Sequence, residues 1–188
     1  MPIIDAERKF ILTKITKKAL ENAFTALLEE RPLSKITVAD IASKAGVNRH
    51  TFYYHFRNID DMIVYSVKDT VDRFYGEESD NDEFDGFFSF LEYIYHNRQH
   101  IYSIMHSSSR DCFMRAFCDS IYLVVAKIAD SKQIKASERD YVVRFYVHGL
   151  SGIFSDWIDG GMEDSPERVA EIISRIIESD FTLPEEDL

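Results

Sequence analysis

Glycine and proline are scarce in this sequence, with 7 and 4 occurrences in 188 residues. So few turn-forming residues disfavour a β architecture with many tight turns and favour long helices. The chain also lacks any run of 18 apolar residues, so we expect no membrane contact and no membrane-spanning helix. The segment 1–18 has no apolar stretch beside a small-residue cleavage site, so we expect a cytoplasmic protein without a secretory signal.

Cysteine is rare as well, and Cys112 and Cys118 are not spaced as Cys-x-x-Cys. We therefore expect two reduced thiols on one helix. His96 and His100 have the spacing of a metal-binding pair on a helix, but no acidic residue or cysteine completes the set, so we predict no metal and no cofactor. Without a Gly-rich phosphate loop, a nucleophile elbow or a His-Glu-x-x-His motif, we predict no catalytic residues and no enzyme activity.

Acidic residues outnumber basic ones, and the formal net charge is −11. The excess is not evenly distributed. Residues 1–70 carry 11 basic and 9 acidic side chains, for a net charge of +2, whereas residues 71–188 carry 11 and 24, for a net charge of −13. A slightly basic N-terminal part joined to a strongly acidic remainder favours DNA contact by the N-terminal part alone.

Apolar residues recur at helical spacing along most of the chain, and no alternating strand pattern is strong, so we predict an all-α fold of about nine helices. The first amphipathic helix is predicted over residues 14–30, where Pro32 ends it. The remaining helices are predicted over 38–45, 48–56, 58–75, 86–97, 99–107, 110–130, 137–159 and 166–180. The acidic segment 76–86 is predicted to be a loop.

The segment 37–56 has the signals of two short helices joined by a tight turn. Thr37 and Asp40 form a Thr-x-x-Asp capping box, Gly46 suits a left-handed turn residue, and Asn48 caps the second helix. The side chains predicted to lie inside are Ile41, Ala42, Val47, Phe52 and Phe56. Polar and aromatic side chains then face outward, as in a helix-turn-helix that reads base edges in the major groove.

The order of residues in this segment is more specific than its helix signals. The run from Thr37 to Phe56, with its Ala-Gly-Val turn and its Thr-Phe-Tyr-Tyr-His-Phe stretch, closely resembles the tetracycline-repressor (TetR/AcrR) family of transcriptional regulators. The resemblance covers about residues 10–66 and implies a DNA-binding domain over 1–66, followed by a dimerisation and effector-binding domain over 67–188. The C-terminal helices are similar to those of the subgroup that contains the regulator of dihydroxyacetone kinase genes.

The resemblance implies roles for individual residues. Arg49 is the first choice for reading bases, because a guanidinium group pairs bidentately with guanine O6 and N7. The next base-reading residues are Asn48, His50 and Tyr53. The predicted phosphate contacts are Thr37, Lys44, Thr51, Tyr54, His55 and Arg57. Many members carry a lysine where this chain has Ile59, so one phosphate contact is missing here. The alternatives are core packing for the two tyrosines, a helix-capping role for His55 and a solvated Arg49.

The last two helices are implied to pair with their two-fold mates in a homodimer. Residues 141–158 are too apolar for one surface helix, and Gly149 and Gly152 weaken a helix unless another backbone comes close. The predicted interface consists of Tyr141, Phe145, Gly149, Gly152, Ile153, Trp157, Val169, Ile172, Ile173 and Ile176. The alternative is a helix buried within the monomer. A dimer implies a palindromic operator in double-stranded DNA.

Aromatic residues of the body are predicted to surround a small-molecule effector that releases a repressor from DNA. The predicted pocket consists of Phe88, Tyr102, Met105, His106, Phe113, Phe117 and His148. The alternative is a packed core, with a protein partner controlling a regulator or activator. A cavity with convergent polar groups favours the small ligand, and an exposed apolar patch favours the partner.

Overall fold

The computed structural model describes residues 2–75 and 83–180, and within these ranges it contains nine α-helices, one short 3-10 helix and no strand. The all-α prediction is confirmed. The helices are α1 (Pro2–Glu30), the 3-10 helix (Leu33–Lys35), α2 (Val38–Lys44), α3 (Arg49–His55), α4 (Ile59–Tyr75), α5 (Glu83–His96), α6 (Arg98–Met105), α7 (Arg110–Ser131), α8 (Ala136–Asp159) and α9 (Pro166–Asp180).

Two predicted helix starts differ from the observed ones. Helix α1 begins at Pro2 rather than at residue 14, and a proline is well tolerated in a first helical turn. Helix α5 begins at Glu83, so the last part of the segment predicted as a loop is helical, while residues 76–82 lie outside the described residues. Gly86, in the first turn of α5, lies against the end of α4, because a Cβ there would be only 2.9 Å from the carbonyl oxygen of Phe74.

The chain groups into two compact units. The first contains the chain up to residue 69 together with 99–120, and the second contains 70–98 together with the chain from residue 121 onward. This grouping reflects packing alone. The functional boundary expected between residues 66 and 67 therefore stays a prediction.

The first unit is built around the apolar faces of its N-terminal helices. Helix α1 packs against α2 and α3, and α2 packs against α3. Its core includes Leu20, Phe24, Ile41, Phe52, Met62, Ile63, Met105 and Phe113. One polar link joins the start of α4 to the start of α7, because the Ser109 hydroxyl donates a hydrogen bond to Asp60 Oδ1 at 2.6 Å. The first unit thus contains more than the helix-turn-helix.

In the second unit, α5 packs against α9. Its core includes Phe90, Leu91, Ile94, Val143, Val147, Phe154, Ile158, Ala170 and Ile173. Helix α9 begins as its sequence predicts, with Pro166 in the first helical position and the Ser165 hydroxyl accepting a hydrogen bond from the Arg168 N–H at 3.4 Å.

Among the described residues, Cys112 and Cys118 form no disulfide, and both are half-buried. In residues 2–75 and 83–180, no helix is long and apolar enough to cross a membrane. The same residues contain no group of three or more His, Cys, Asp or Glu side chains that could hold a metal ion.

Candidate DNA-binding surface

The turn between α2 and α3 has the local structure that its sequence predicts. The Thr37 N–H donates to Asp40 Oδ2 at 2.9 Å, and the Asp40 N–H donates to Thr37 Oγ1 at 3.3 Å, which completes the capping box. Gly46 has φ +70°, the left-handed conformation that favours glycine. Asn48 Oδ1 then accepts from the Thr51 N–H at 2.8 Å and starts α3. Caps on both helices therefore fix the direction in which α3 leaves the turn.

The inner face of α3 is anchored in the core of the first unit. Phe52 and Phe56 are buried, as are Ile41 and Ala42 on α2, which agrees with the sequence prediction. Val47 is only half-buried, because it lies in the turn rather than between the helices. With two aromatic rings one helical turn apart held inside, the opposite face of α3 must point to solvent.

That opposite face carries the residues predicted to read bases. Arg49 and His50 are exposed, and the side chains of Tyr53 and Tyr54 are 57% and 67% exposed, so neither tyrosine belongs to the core. Thr51 and His55 are half-buried at its edges. Among the residues that the structure describes, Arg49 forms no ion pair, so its guanidinium group is available for a ligand.

The predicted phosphate contacts behave differently, because three of them already bond to carboxylates of the same chain. Lys44 Nζ forms an ion pair with Glu30 Oε1. Arg57 Nη2 lies 2.9 Å from Asp61 Oδ1. The hydroxyl of Thr37 donates to Asp40 Oδ2 at 2.7 Å. A phosphate group would therefore compete with these carboxylates for the same donors.

The three carboxylates are ionised at neutral pH. The hydrogen bond from Lys44 is the main reason why the pKa of Glu30 lies below its usual value of 4.5. The hydrogen bond from Arg57 lowers the pKa of Asp61 in the same way, and that from Thr37 lowers the pKa of Asp40. A hydrogen bond to the charged form favours that form. Each of these contacts is therefore made to a negative charge.

Glu30, Asp61 and Lys17 also belong to this surface, although the sequence pattern did not predict them there. Lys17 Nζ lies 3.9 Å from the centre of the Tyr65 ring and 5.5 Å from that of Phe56. Partial burial, and then the nearby charge of Lys17, lower the pKa of His55 below 6.5. Asp61 could have been found as the i, i+4 partner of Arg57, whereas Lys17 and Glu30 reach the surface only through the packing of α1.

The residues predicted to form the dimer interface fall into an exposed and a buried set. The exposed set consists of Tyr141, Phe145, Gly149, Gly152, Ile153, Ile172 and Ile176. Trp157, Val169 and Ile173 are buried inside their own unit, so they present little surface to a partner. The Trp157 indole stacks on Tyr95 and its N–H donates to the Asp164 carbonyl oxygen at 2.9 Å. Periodicity marked α8 and α9 as apolar but could not separate the face used within the chain from the outer one.

The predicted pocket residues are divided between the two compact units. Met105, Phe113 and Phe117 are buried in the first unit. Tyr102 and His106 are exposed there, with ring centres stacked 3.8 Å apart. In the second unit Phe88 is half-buried and His148 is exposed. The pocket therefore stays a prediction, and three of its seven residues, Tyr102, His106 and His148, are exposed.

Known families match both parts of the chain. Residues 22–65 match a family model described as "Bacterial regulatory proteins, tetR family". Residues 81–179, just over half of the chain, match a model described as "Transcriptional regulator C-terminal region". The chain belongs to the TetR family of transcriptional regulators. Transcriptional regulators are not enzymes, in agreement with the sequence analysis.

Individual relatives agree with this assignment. The dhaKLM operon transcriptional activator DhaS of Lactococcus lactis subsp. lactis is 29% identical over 66 residues, which is 35% of each chain. The regulator EthR of Mycobacterium tuberculosis is 45% identical over 38 residues, 20% of this chain and 18% of EthR. The matched stretches thus span about a third of DhaS and less than a fifth of EthR.

Solved structures of the family share the fold over most of their length. The structure of DhaS has a TM-score of 0.71 at 20% identity and covers 89% of this chain and 96% of its own. NalD, the secondary repressor of the MexAB-OprM multidrug efflux pump in Pseudomonas aeruginosa, has a TM-score of 0.56 at 18% identity over 89% and 96%. The all-helical arrangement is therefore that of TetR-family regulators.

Proposed function

We propose that this TetR-family regulator binds double-stranded DNA sequence-specifically by placing α3 in the major groove. The observation that carries the proposal is the two-sided character of α3. Phe52 and Phe56 anchor one face in the core, while Arg49 is exposed on the other and has no ion-pair partner in the described part of the chain. A rigidly held donor at the N-terminal end of a recognition helix is what reading of base edges requires.

The contacts of each side chain refine its proposed role. Arg49 reads bases, together with His50, Tyr53 and the amide N–H group of Asn48, because Asn48 Oδ1 is used in the cap. Phosphates are held by Tyr54, His55, Thr51, Lys44 and Arg57. Thr37 is the weakest of the phosphate contacts, since its hydroxyl donates to Asp40. Loss of a base-reading residue should therefore weaken specific binding more than non-specific binding, whereas loss of a phosphate contact should weaken both.

We further propose that the protein acts as a homodimer through the outer face of α8 and α9. Tyr141 and Phe145 are 78% and 68% exposed and lie one helical turn apart, so together they form an exposed aromatic patch of the kind that marks an interaction surface. A Cβ atom added to Gly149 or Gly152 would meet nothing within 4 Å among residues 2–75 and 83–180. Packing within these residues therefore does not require a glycine at either position, whereas close approach of a second backbone would.

Selection of bound duplexes from a random pool tests both proposals together. A two-fold dimer should enrich a palindrome whose half-site centres lie about one turn of DNA apart, ~34–36 Å. The Arg49→Ala variant, carried through the same selection, should lose preference at the base pair that Arg49 reads in each half-site. If the native protein enriched no sequence, specific DNA binding would be refuted. A consensus without two-fold symmetry would refute the dimer alone.

The sign of regulation and its control are separate proposals. Our first proposal is a repressor that a small molecule releases from DNA, and NalD is described as a repressor. The second is an activator or regulator under the control of a protein partner, and DhaS is described as an activator. The positions of Tyr102, His106 and His148 on the surface favour the second. Deleting the gene should raise transcription of the regulated genes for a repressor and lower it for an activator.

Control by a small molecule is testable without knowing its identity. The purified dimer would be melted with and without a deproteinised, low-molecular-weight cell extract. A ligand that binds the native state raises the melting temperature by mass action. Stabilisation by this extract, with release of the selected duplex, would support the first proposal. Co-purification of a folded partner with no effect of the extract would support the second.

A further inference from the structure

The cations at the edge of the proposed DNA surface are matched by acidic side chains of the same chain. Glu30 is the last residue of α1 and Lys44 is the last residue of α2, and their side chains form an ion pair. The side chain of Glu30 is 57% exposed and that of Lys44 is 35% exposed. Both partners are therefore within reach of solvent and of an approaching phosphate group.

We propose that Glu30 is a built-in competitor of DNA phosphate at Lys44, which lowers the affinity for DNA of any sequence. The inference rests on the proposed DNA-binding function. A phosphate that takes Lys44 must break the ion pair, and it then lies close to the released carboxylate of Glu30. Binding that depends on phosphate contacts is weakened by both effects, because cation–phosphate contacts supply most of non-specific affinity.

Arg49 differs from Lys44 in this respect. It has no ion pair among the residues that the structure describes, so base reading by Arg49 breaks no contact within the chain. The arrangement weakens the contact that holds any DNA and leaves unhindered the contact that reads sequence. The contribution of Arg49 to DNA affinity is therefore larger, relative to that of Lys44, than their equal charges indicate.

Glu29 provides a matched control for Glu30. It precedes Glu30 in α1 and carries the same charge, but its Oε1 lies 3.6 Å from His100 Nε2 instead of meeting Lys44. Glu29→Gln and Glu30→Gln thus change the net charge equally, and only the second frees Lys44. Asp61 is less suitable, because its carboxylate also accepts a hydrogen bond from the Arg57 backbone N–H and its loss would disturb the turn.

The experiment measures binding of the full-length variants to a labelled duplex of mixed sequence, by fluorescence anisotropy, at several potassium chloride concentrations. For each protomer that contacts DNA, Glu30→Gln should bind roughly 2–5-fold more tightly at low salt, the range expected for an exposed ion pair. The slope of log affinity against log salt concentration should steepen by up to about 0.9 for each such protomer, the value for one additional phosphate contact. Glu29→Gln should behave like the native protein.

A double variant tests whether the gain in affinity depends on the ion pair between Glu30 and Lys44. In a Lys44→Gln background, Glu30→Gln should produce no further gain, because the contact it releases no longer exists. Equal behaviour of Glu30→Gln and Glu29→Gln would overturn the inference, as would a gain that persists in the double variant. If the native protein showed no salt-dependent binding to DNA, the proposed function would fail as well. Binding by the native protein with no difference between variants would overturn the inference alone.

Discussion

Helices α3 and α8 both present large side chains to solvent, but the chemistry of their exposed faces differs. Helix α3 exposes Arg49, His50 and two tyrosines above a buried aromatic pair. Helix α8 exposes Tyr141, Phe145 and Ile153 around two glycines. Hydrogen-bond donors suit a polar groove, whereas an apolar strip with gaps suits another protein surface. Exposed large side chains thus mark both helices as binding surfaces, and the polarity of those side chains indicates whether DNA or protein is the partner.

The sharpest test of this comparison places a charge on the outer face of α8. Phe145→Asp should weaken the dimer by roughly 100-fold or more, because an unpaired carboxylate in an apolar interface costs several kcal/mol. Leu123→Asp is the control, since Leu123 is 69% exposed against 68% for Phe145 but lies on α7. Sedimentation equilibrium should show monomers for the first variant and dimers for the second. Dimers in both cases would mean that this face has another partner.

The next largest effect is expected on α3. Arg49→Ala should lose about 1–3 kcal/mol of discrimination per half-site, the value of one bidentate contact to guanine. Its affinity for mixed-sequence DNA should change much less. Tyr54→Ala, which removes a proposed phosphate contact, should weaken binding to all sequences alike. Competition titrations with the selected and the mixed duplex distinguish the two patterns, and an equal loss on both duplexes for Arg49→Ala would remove its base-reading role.

A smaller effect is expected from changing glycines to alanine, and its sign should differ between Gly149 in α8 and Gly46 in the turn. Gly46→Ala should destabilise the fold by about 1 kcal/mol, because φ +70° is unfavourable for a residue with a Cβ. Gly149→Ala should stabilise the isolated helix by a similar amount, yet weaken a dimer in which another backbone comes close. Thermal unfolding measures the change in the stability of the fold, and the dissociation constant of the dimer measures the change in dimer affinity. A tighter dimer for Gly149→Ala would contradict close approach at this position.

The smallest effect concerns His55 at the edge of α3. Burial and the charge of Lys17 lower its pKa in the folded state below 6.5. The His55 ring of the unfolded chain therefore binds a proton more tightly than that of the folded chain. As a result, the free energy of unfolding is highest above pH 6.5 and falls as the pH drops from 6.5 through the pKa of the folded state. The melting temperature should fall less between pH 7.5 and pH 5 in His55→Gln than in the native protein. His50→Gln, a change at an exposed histidine of the same helix, is the control.

The same two helices show what could be predicted from sequence. The caps and the turn around α3 depend on residues three to five positions apart, so Thr37, Gly46 and Asn48 were sufficient to predict them. The burial of Trp157 depends on Tyr95 and Asp164, which lie on other segments. The pairing of Glu30 with Lys44 likewise requires the packing of α1 against α2. Local signals thus predicted the elements, and tertiary contacts decided which side of each element is free.

The hydrogen bond between Ser109 and Asp60 has a practical consequence for protein engineering. Because residues 99–120 group with the N-terminal helices, a fragment that stops after α4 would lose the Ser109 hydroxyl that donates to Asp60, and it would also lose Met105 and Phe113 from the core of the first unit. A chimera that grafts only residues 1–66 onto a foreign sensor would suffer the same loss. Exchange of DNA specificity between relatives is better attempted by transplanting the solvent-facing side chains of α3 into an otherwise intact chain.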